Sequence, residues 1–153
     1  MNTEPSSNRI IVGVDGSEYS SAALRWAGRM TERLDLPLEA ITCVGMPDLF
    51  FSSRMEQGIS KFSSELEESA RQLVEQALDR AFDADRPENL SITVKFGAPA
   101  KVLVEESKNA QLLVIGRHGE GGFLDQAIGS VSRACAAHSQ CPVLLVDQEV
   151  DNT

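Results

Sequence analysis

The sequence predicts an α/β protein: a parallel β-sheet covered by helices on both faces. Two observations carry this. Short apolar, β-branched runs recur along the chain, and helical-period segments separate them in regular alternation. A length of 153 residues fits one domain with one sizeable core, since domains run to roughly 100–200 residues.

The elements follow in order. Residues 9–15 (RIIVGVD) read as a buried strand ending in a turn signal. Over 17–34, Ala23, Trp26, Ala27, Met30 and Leu34 recur at helical spacing. Asp35-Leu36-Pro37 closes that helix, because a residue before proline avoids the α region. A second strand covers 38–44. Residues 45–61 show no clear period and are long for a loop, so a flap or a short helix is expected there. Leu66, Ala70, Leu73, Val74, Ala77, Leu78 and Ala81 then form the best amphipathic pattern in the chain. Glu67, Glu68, Arg71, Glu75 and Asp79 mark its solvated face.

Residues 91–97 (SITVKFG) alternate as a strand does, and Pro99 suits the first turn of a helix running to Ser107. An apolar strand at 112–116, a helix at 130–138 and a strand at 142–147 complete the series. The domain is expected over 9–148, with residues 1–8 disordered and 149–153 frayed.

Composition narrows the function. The formal net charge of −9 makes general nucleic-acid binding a poor reading. It also repels free nucleotides at long range, so a phosphate site here must work through short-range backbone donors. Cys43, Cys135 and Cys141 form no CxxC pair and read as small buried hydrophobes, not as a zinc site or disulfide framework. The polar N-terminus lacks an apolar run, and the aliphatic runs are too short to span a bilayer, so the expected location is cytoplasmic without membrane attachment.

The chemistry concentrates after the strand LLVIG. Gly116, Gly119, Gly129 and Ser130 give the spacing G-x2-G-x9-G-S, with Gly121 and Gly122 between. Glycine lets the backbone turn sharply and approach a ligand without a Cβ in the way. Gly129-Ser130 precedes a helix, whose first free N–H groups and dipole favour an anion. The Ser130 hydroxyl can donate to a phosphate oxygen or cap the helix. A glycine-rich surface loop with an ordinary N-cap is the competing reading. Five glycines in fifteen residues, directly after a buried strand, shift the balance toward phosphate. The loop is not GxxxxGK[ST], for it has no lysine, and no GxGxxG follows the first strand.

Asp15 ends the first strand, where open α/β sheets place ligand contacts. It can accept from ribose hydroxyls or approach a phosphate-bound Mg²⁺. Alternatively, Asp15 or Ser17 only caps the following helix.

The glycine spacing, the aspartate in VDGSEYS and Cys141-Pro142 opening the last strand together resemble the universal stress protein family. The resemblance covers about 9–147. It implies a single-domain Rossmann-like sandwich of the adenine nucleotide alpha hydrolase type, with a five-stranded parallel sheet of order 3-2-1-4-5. It also implies ATP binding, with Mg²⁺ or Mn²⁺ held through the phosphates. By that pattern Gly13, Val14 and Asp15 line the adenosine side, and Val44 meets adenine through its backbone. Gly116, Arg117 and Gly119 line the ribose and phosphates, while Gly129, Ser130 and Val131 bind phosphates at the helix start. Gly13 stands where family members often have proline, and Cys43 where a histidine is common. Family members dimerise through the last strand in antiparallel fashion, which implies a homodimer through Val143, Leu144, Leu145 and Val146.

His118 has no identifiable carboxylate partner in the sequence and reads as a loop donor to phosphate or solvent, not as a catalyst. No residue set positions a water against a γ-phosphate, and no arginine finger is assignable. The expected function is a nucleotide-binding regulatory module in stress response or dormancy, signalling by ATP occupancy with at most slow hydrolysis. Two alternatives stand beside it. One is a dimeric interaction protein whose site is empty or holds another adenine nucleotide, such as a cyclic one. The other is a weak ATPase.

Overall fold

The computed structural model describes residues 8–45, 56–118 and 128–148, with 56–60 in their backbone only. Nine elements alternate through them: β1 (Ile10–Gly13), α1 (Glu18–Leu34), β2 (Leu38–Val44), α2 (Glu56–Phe82), β3 (Leu90–Phe96), α3 (Pro99–Ser107), β4 (Leu112–Gly116), α4 (Ser130–His138) and β5 (Val143–Val146). The five strands form one parallel sheet of order β3-β2-β1-β4-β5. The expected fold class and strand order therefore hold. No helix among the described residues is long and apolar enough to cross a membrane.

The period-2 geometry of a strand sends alternate side chains to opposite faces. Ile10, Val12, Ala40 and Val114 join α1 and α2 in one buried cluster. Ile11, Ile41, Leu113 and Ile115 point the other way and meet Leu103 of α3 and Cys135 of α4. Both faces of the central strands are thus dry, which explains why β1 and β4 read as continuous apolar runs. Each large side chain so buried contributes roughly 1.5–3 kcal/mol.

One helix start differs from expectation, and one helix stop falls as expected but by a different device. The α2 helix begins at Glu56, so the second half of the aperiodic 45–61 segment is helical. Residues 46–55 lie outside the described residues, as do 1–7 and 149–153. The α1 helix ends where proline chemistry puts it, but the stop itself is Asp35 in a left-handed conformation, φ 53°, whose N–H donates to the Thr31 carbonyl. The Thr31 hydroxyl then donates to the Leu36 carbonyl at 2.6 Å and fixes the exit.

The α3 helix, with Pro99 in its first turn, is anchored to the sheet by ion pairs. Glu106 accepts from Arg9 at 2.6 Å and from Lys95 at 3.3 Å, while Arg9 also pairs with Glu39 of β2. Burial works against the charge of Glu106, but the Arg9 and Lys95 contacts outweigh it and hold the carboxyl below its ordinary range. On the opposite side of the sheet, α1 crosses the end of β4 very closely. A Cβ on Gly116 would collide with Cβ of Tyr19 and sit 3.3 Å from the Tyr19 carbonyl carbon. The obstacle is helix backbone, which cannot swing aside.

Gly116→Ala is therefore expected to destabilise the protein by about 1–3 kcal/mol in the absence of any nucleotide, as overpacking does. Urea denaturation measures it. An unchanged midpoint would show that this glycine is not needed for packing.

Candidate functional site at the strand switch point

The chain leaves β1 for α1 on one face of the sheet and leaves β4 for α4 on the other. The two strands are neighbours, paired Ile10↔Leu112, Ile11↔Leu113 and Val12↔Val114. Their divergence opens a crevice at their carboxyl ends, the usual ligand position in such sheets. A cavity of about 490 Å³ occupies it, within the range of small-molecule sites. Gly13, Val14, Asp15, Val44, Gly116 and Val131 line it, so six of the residues expected at a nucleotide site share one wall system.

Asp15 is held by a compact local turn. Its Oδ1 accepts from the Ser17 amide at 3.0 Å and from the Ser20 hydroxyl at 2.7 Å. The Ser20 hydroxyl accepts from the Asp15 amide at 2.9 Å. Gly16 makes the turn possible with φ +85°, a conformation that L side chains rarely adopt. Ser17, not Asp15, is the N-cap of α1, and its side chain accepts from the Ser20 amide. Asp15 thus has two roles at once: it braces the turn and lines the cavity.

The other end of the crevice is the start of α4. Gly129 is its N-cap, has extended backbone and supplies no side-chain cap. Ser130 is consequently the first helical residue, and the amides of the first turn have no intrahelical acceptor. Gly129 is positioned by a 2.7 Å bond from its amide to the Arg117 carbonyl. The Ser132 hydroxyl donates to the Gly116 carbonyl at 2.5 Å, tying the first turn of α4 to the end of β4. Arg117 directs its guanidinium to Asp147 at 2.9 Å, and its amide donates to Val146. One arm of its guanidinium thus reaches toward the β5 end. Gly119, with Glu120, Gly121 and Gly122, lies outside the described residues.

Val44 ends β2 at the cavity wall, and its carbonyl already accepts from the Gly97 amide at 2.9 Å. A carbonyl oxygen retains a second lone pair. Beside it, the Cys43 thiol is pushed up to about 11 by burial and by the neighbouring Cys135. It stays neutral at neutral pH and presents a small apolar surface.

Several lining residues are absent from the sequence expectation. Leu66, Ser69, Ala70 and Leu73 put the first half of α2 over the cavity, and Pro99 and Leu103 of α3 close its far side. Their apolar periodicity was visible, but periodicity does not say whether a face covers core or cavity. His118 also lines the cavity, with its ring edge-on to Tyr19 at 5.3 Å between centroids. Among the described residues, no group of three or more His, Cys, Asp or Glu side chains is placed to hold a metal.

Comparison with known proteins agrees with this architecture. The model of the universal stress protein family matches residues 7–147. Universal stress protein Rv2623 of Mycobacterium tuberculosis is 32% identical over 97% of this chain. The match takes in 50% of that relative, so the chain spans about half the length of the curated relatives it matches. The UspA structure from Lactobacillus plantarum superposes with a TM-score of 0.73 at 20% identity, covering 94% of this chain and 99% of that one, which establishes likeness of fold. A universal stress protein solved in complex with cAMP is 26% identical, with a TM-score of 0.62 over 94% of this chain and 100% of its own. With the family model spanning nearly all of the chain, and the sheet order and glycine spacing in agreement, the chain belongs to the universal stress protein family.

Proposed function

We propose that the chain is an adenine nucleotide-binding regulatory module, with ATP as ligand and occupancy as its signal in stress response or dormancy. One observation carries the reading: a single cavity at the switch point joins the Asp15 turn, the end of β2 and the open first turn of α4. The apolar wall of Val44, Cys43, Ala70 and Leu73 suits a purine ring. Asp15 suits the ribose hydroxyls. The amides of Ser130 and Val131 suit phosphate, with Gly129, whose own amide is held by the Arg117 carbonyl, keeping the approach free of a side chain. Gly119 belongs to the same phosphate loop in this reading, with Gly116 and Arg117 along the ribose and phosphates. Mg²⁺ or Mn²⁺ would be held through the phosphates, with Asp15 as the nearby carboxylate. Among the described residues of the cavity wall, Asp15 and His118 have the chemistry of a general base, and the Asp15 carboxylate is already engaged by Ser17 and Ser20. We read turnover as slow at most. The cAMP-bound relative supports a second reading, a cyclic nucleotide in the same cavity.

Calorimetric titration of the purified protein with ATP and Mg²⁺, AMP and cAMP separates these readings. One of them is expected to bind with a measurable heat. Ala70→Trp, which fills the purine end, is expected to weaken it at least about tenfold, ~1.4 kcal/mol, while circular dichroism stays unchanged. No heat with any of the three, and no nucleotide released on denaturation, would sink the proposal.

We further propose a homodimer through β5. The strand is a sheet edge, paired on one side only with β4. Its side chains Val143, Leu144, Leu145 and Val146 pack inward on the two cores, so the backbone groups of the edge are what a second copy would meet. Antiparallel pairing about a two-fold axis would satisfy them. Light scattering at micromolar concentration should report twice the 16.6 kDa chain mass. A monomer at that concentration would rule the interface out.

A further inference from the structure

The sheet has two edges, and β3 is the one opposite β5. Its seven residues pair with β2 along their full length. Among the described residues, no strand pairs with the outer side of β3. Two backbone bonds fix which groups face that side. The Gly97 amide donates to the Val44 carbonyl, and the Leu38 amide donates to the Asn89 carbonyl. Odd-numbered residues therefore turn their N–H and C=O toward β2. Successive residues of a strand point these groups to opposite sides, so Leu90, Ile92, Val94 and Phe96 present theirs outward. Native sheets blunt such an edge with brevity, proline, bulges or charge. At seven residues β3 is longer than the four-residue β5, its register with β2 is unbroken, and it holds no proline. Its one charge, Lys95, is drawn back to Glu106 of α3 at 3.3 Å.

We propose that the outer edge of β3 is an interaction surface for a second copy of this chain, which adds its own β3 in antiparallel fashion about a two-fold axis at Thr93. The pattern of the strand selects this occupant. With Thr93 opposite the partner's Thr93, Ile92 meets the partner's Val94 and Leu90 meets the partner's Phe96. All four outward residues then fall in hydrogen-bonded pairs. A register moved either way leaves one of them out. Phe96, 37% exposed in the single chain, gains an apolar cross-strand neighbour. On the other face Ser91 stands against the partner's Lys95, so no like charges are opposed. The β5 edge lies at the far side of the sheet, and this contact neither needs nor competes with a pairing there.

The test uses the full chain and cysteine cross-linking under mild oxidation. A non-hydrogen-bonded antiparallel pair brings its Cα atoms to about 4.5 Å, a separation that a disulfide spans. Thr93→Cys should therefore give a covalent dimer. Ser91→Cys alone should give no more than the wild-type background from Cys43, Cys135 and Cys141. Ser91→Cys mixed with Lys95→Cys should give a mixed dimer. Val94→Pro removes an outward N–H and no bond to β2, a change that edge strands accept. Added to Thr93→Cys, it should cut the cross-link about tenfold, the scale of lost hydrogen bonds, with circular dichroism unchanged. No Thr93→Cys dimer above background overturns the proposal, as does equal cross-linking by Ser91→Cys. A cross-link that survives Val94→Pro in a folded chain also overturns it. If Val94→Pro fails to fold, the contrast between Thr93→Cys and Ser91→Cys still decides. None of these outcomes bears on nucleotide binding or on pairing through β5.

Discussion

The pairing of β1 with β4 is the constraint on which the rest of the structure depends. It joins segments a hundred residues apart, Ile10 to Val12 against Leu112 to Val114, and buries both faces of the pair. Because α1 leaves on one face and α4 on the other, the carboxyl ends of the two strands cannot be covered by their own connections. The crevice follows from topology before any side chain is chosen. Asp15, two residues past the end of β1, and Gly116, the last residue of β4, both line it.

Local chemistry then shapes the crevice. On the β1 side, the Asp15–Ser20 hydrogen bonds and the positive φ of Gly16 fix a carboxylate at the mouth. On the β4 side, the α4 helix starts with a glycine cap that supplies no oxygen of its own. No side chain at the cap takes up the helix amides, which suits an external acceptor. Gly116 links the two sides: it lets Tyr19 of α1 approach β4, and the Tyr19 ring meets that of His118 edge-on. Packing and binding chemistry share these residues, so a change at Gly116 alters stability as well as the site.

Much of this was legible in the sequence. The strands and α4 fall where their apolar runs and turn signals place them, because runs of four to seven β-branched and aliphatic residues bounded by Gly, Pro and polar residues are too short for buried helices. The strand order was reached through family resemblance; no local pattern reports which strands are neighbours. The start of α2 was missed although Ile59 and Phe62 stand at helical spacing before Leu66, because they follow directly on the aperiodic stretch ahead of them. The pairing of the Arg117 side chain with Asp147 was not foreseen, because sequence distance conceals the contact. The α2 face of Leu66, Ala70 and Leu73 looked like core because an apolar face has the same period whether it covers a sheet or a purine-sized cavity.

The central claim is that one cavity at the β1–β4 switch point is the nucleotide site. Amide chemical-shift mapping of the full chain on addition of the bound adenine nucleotide tests it most directly. The account predicts perturbations grouped at residues 13–15, Val44, 116–118, 129–131 and the cavity face of α2. Perturbations grouped instead at the other groove, between α1 and the end of α2 around Arg29, Phe82 and Arg86, would contradict it.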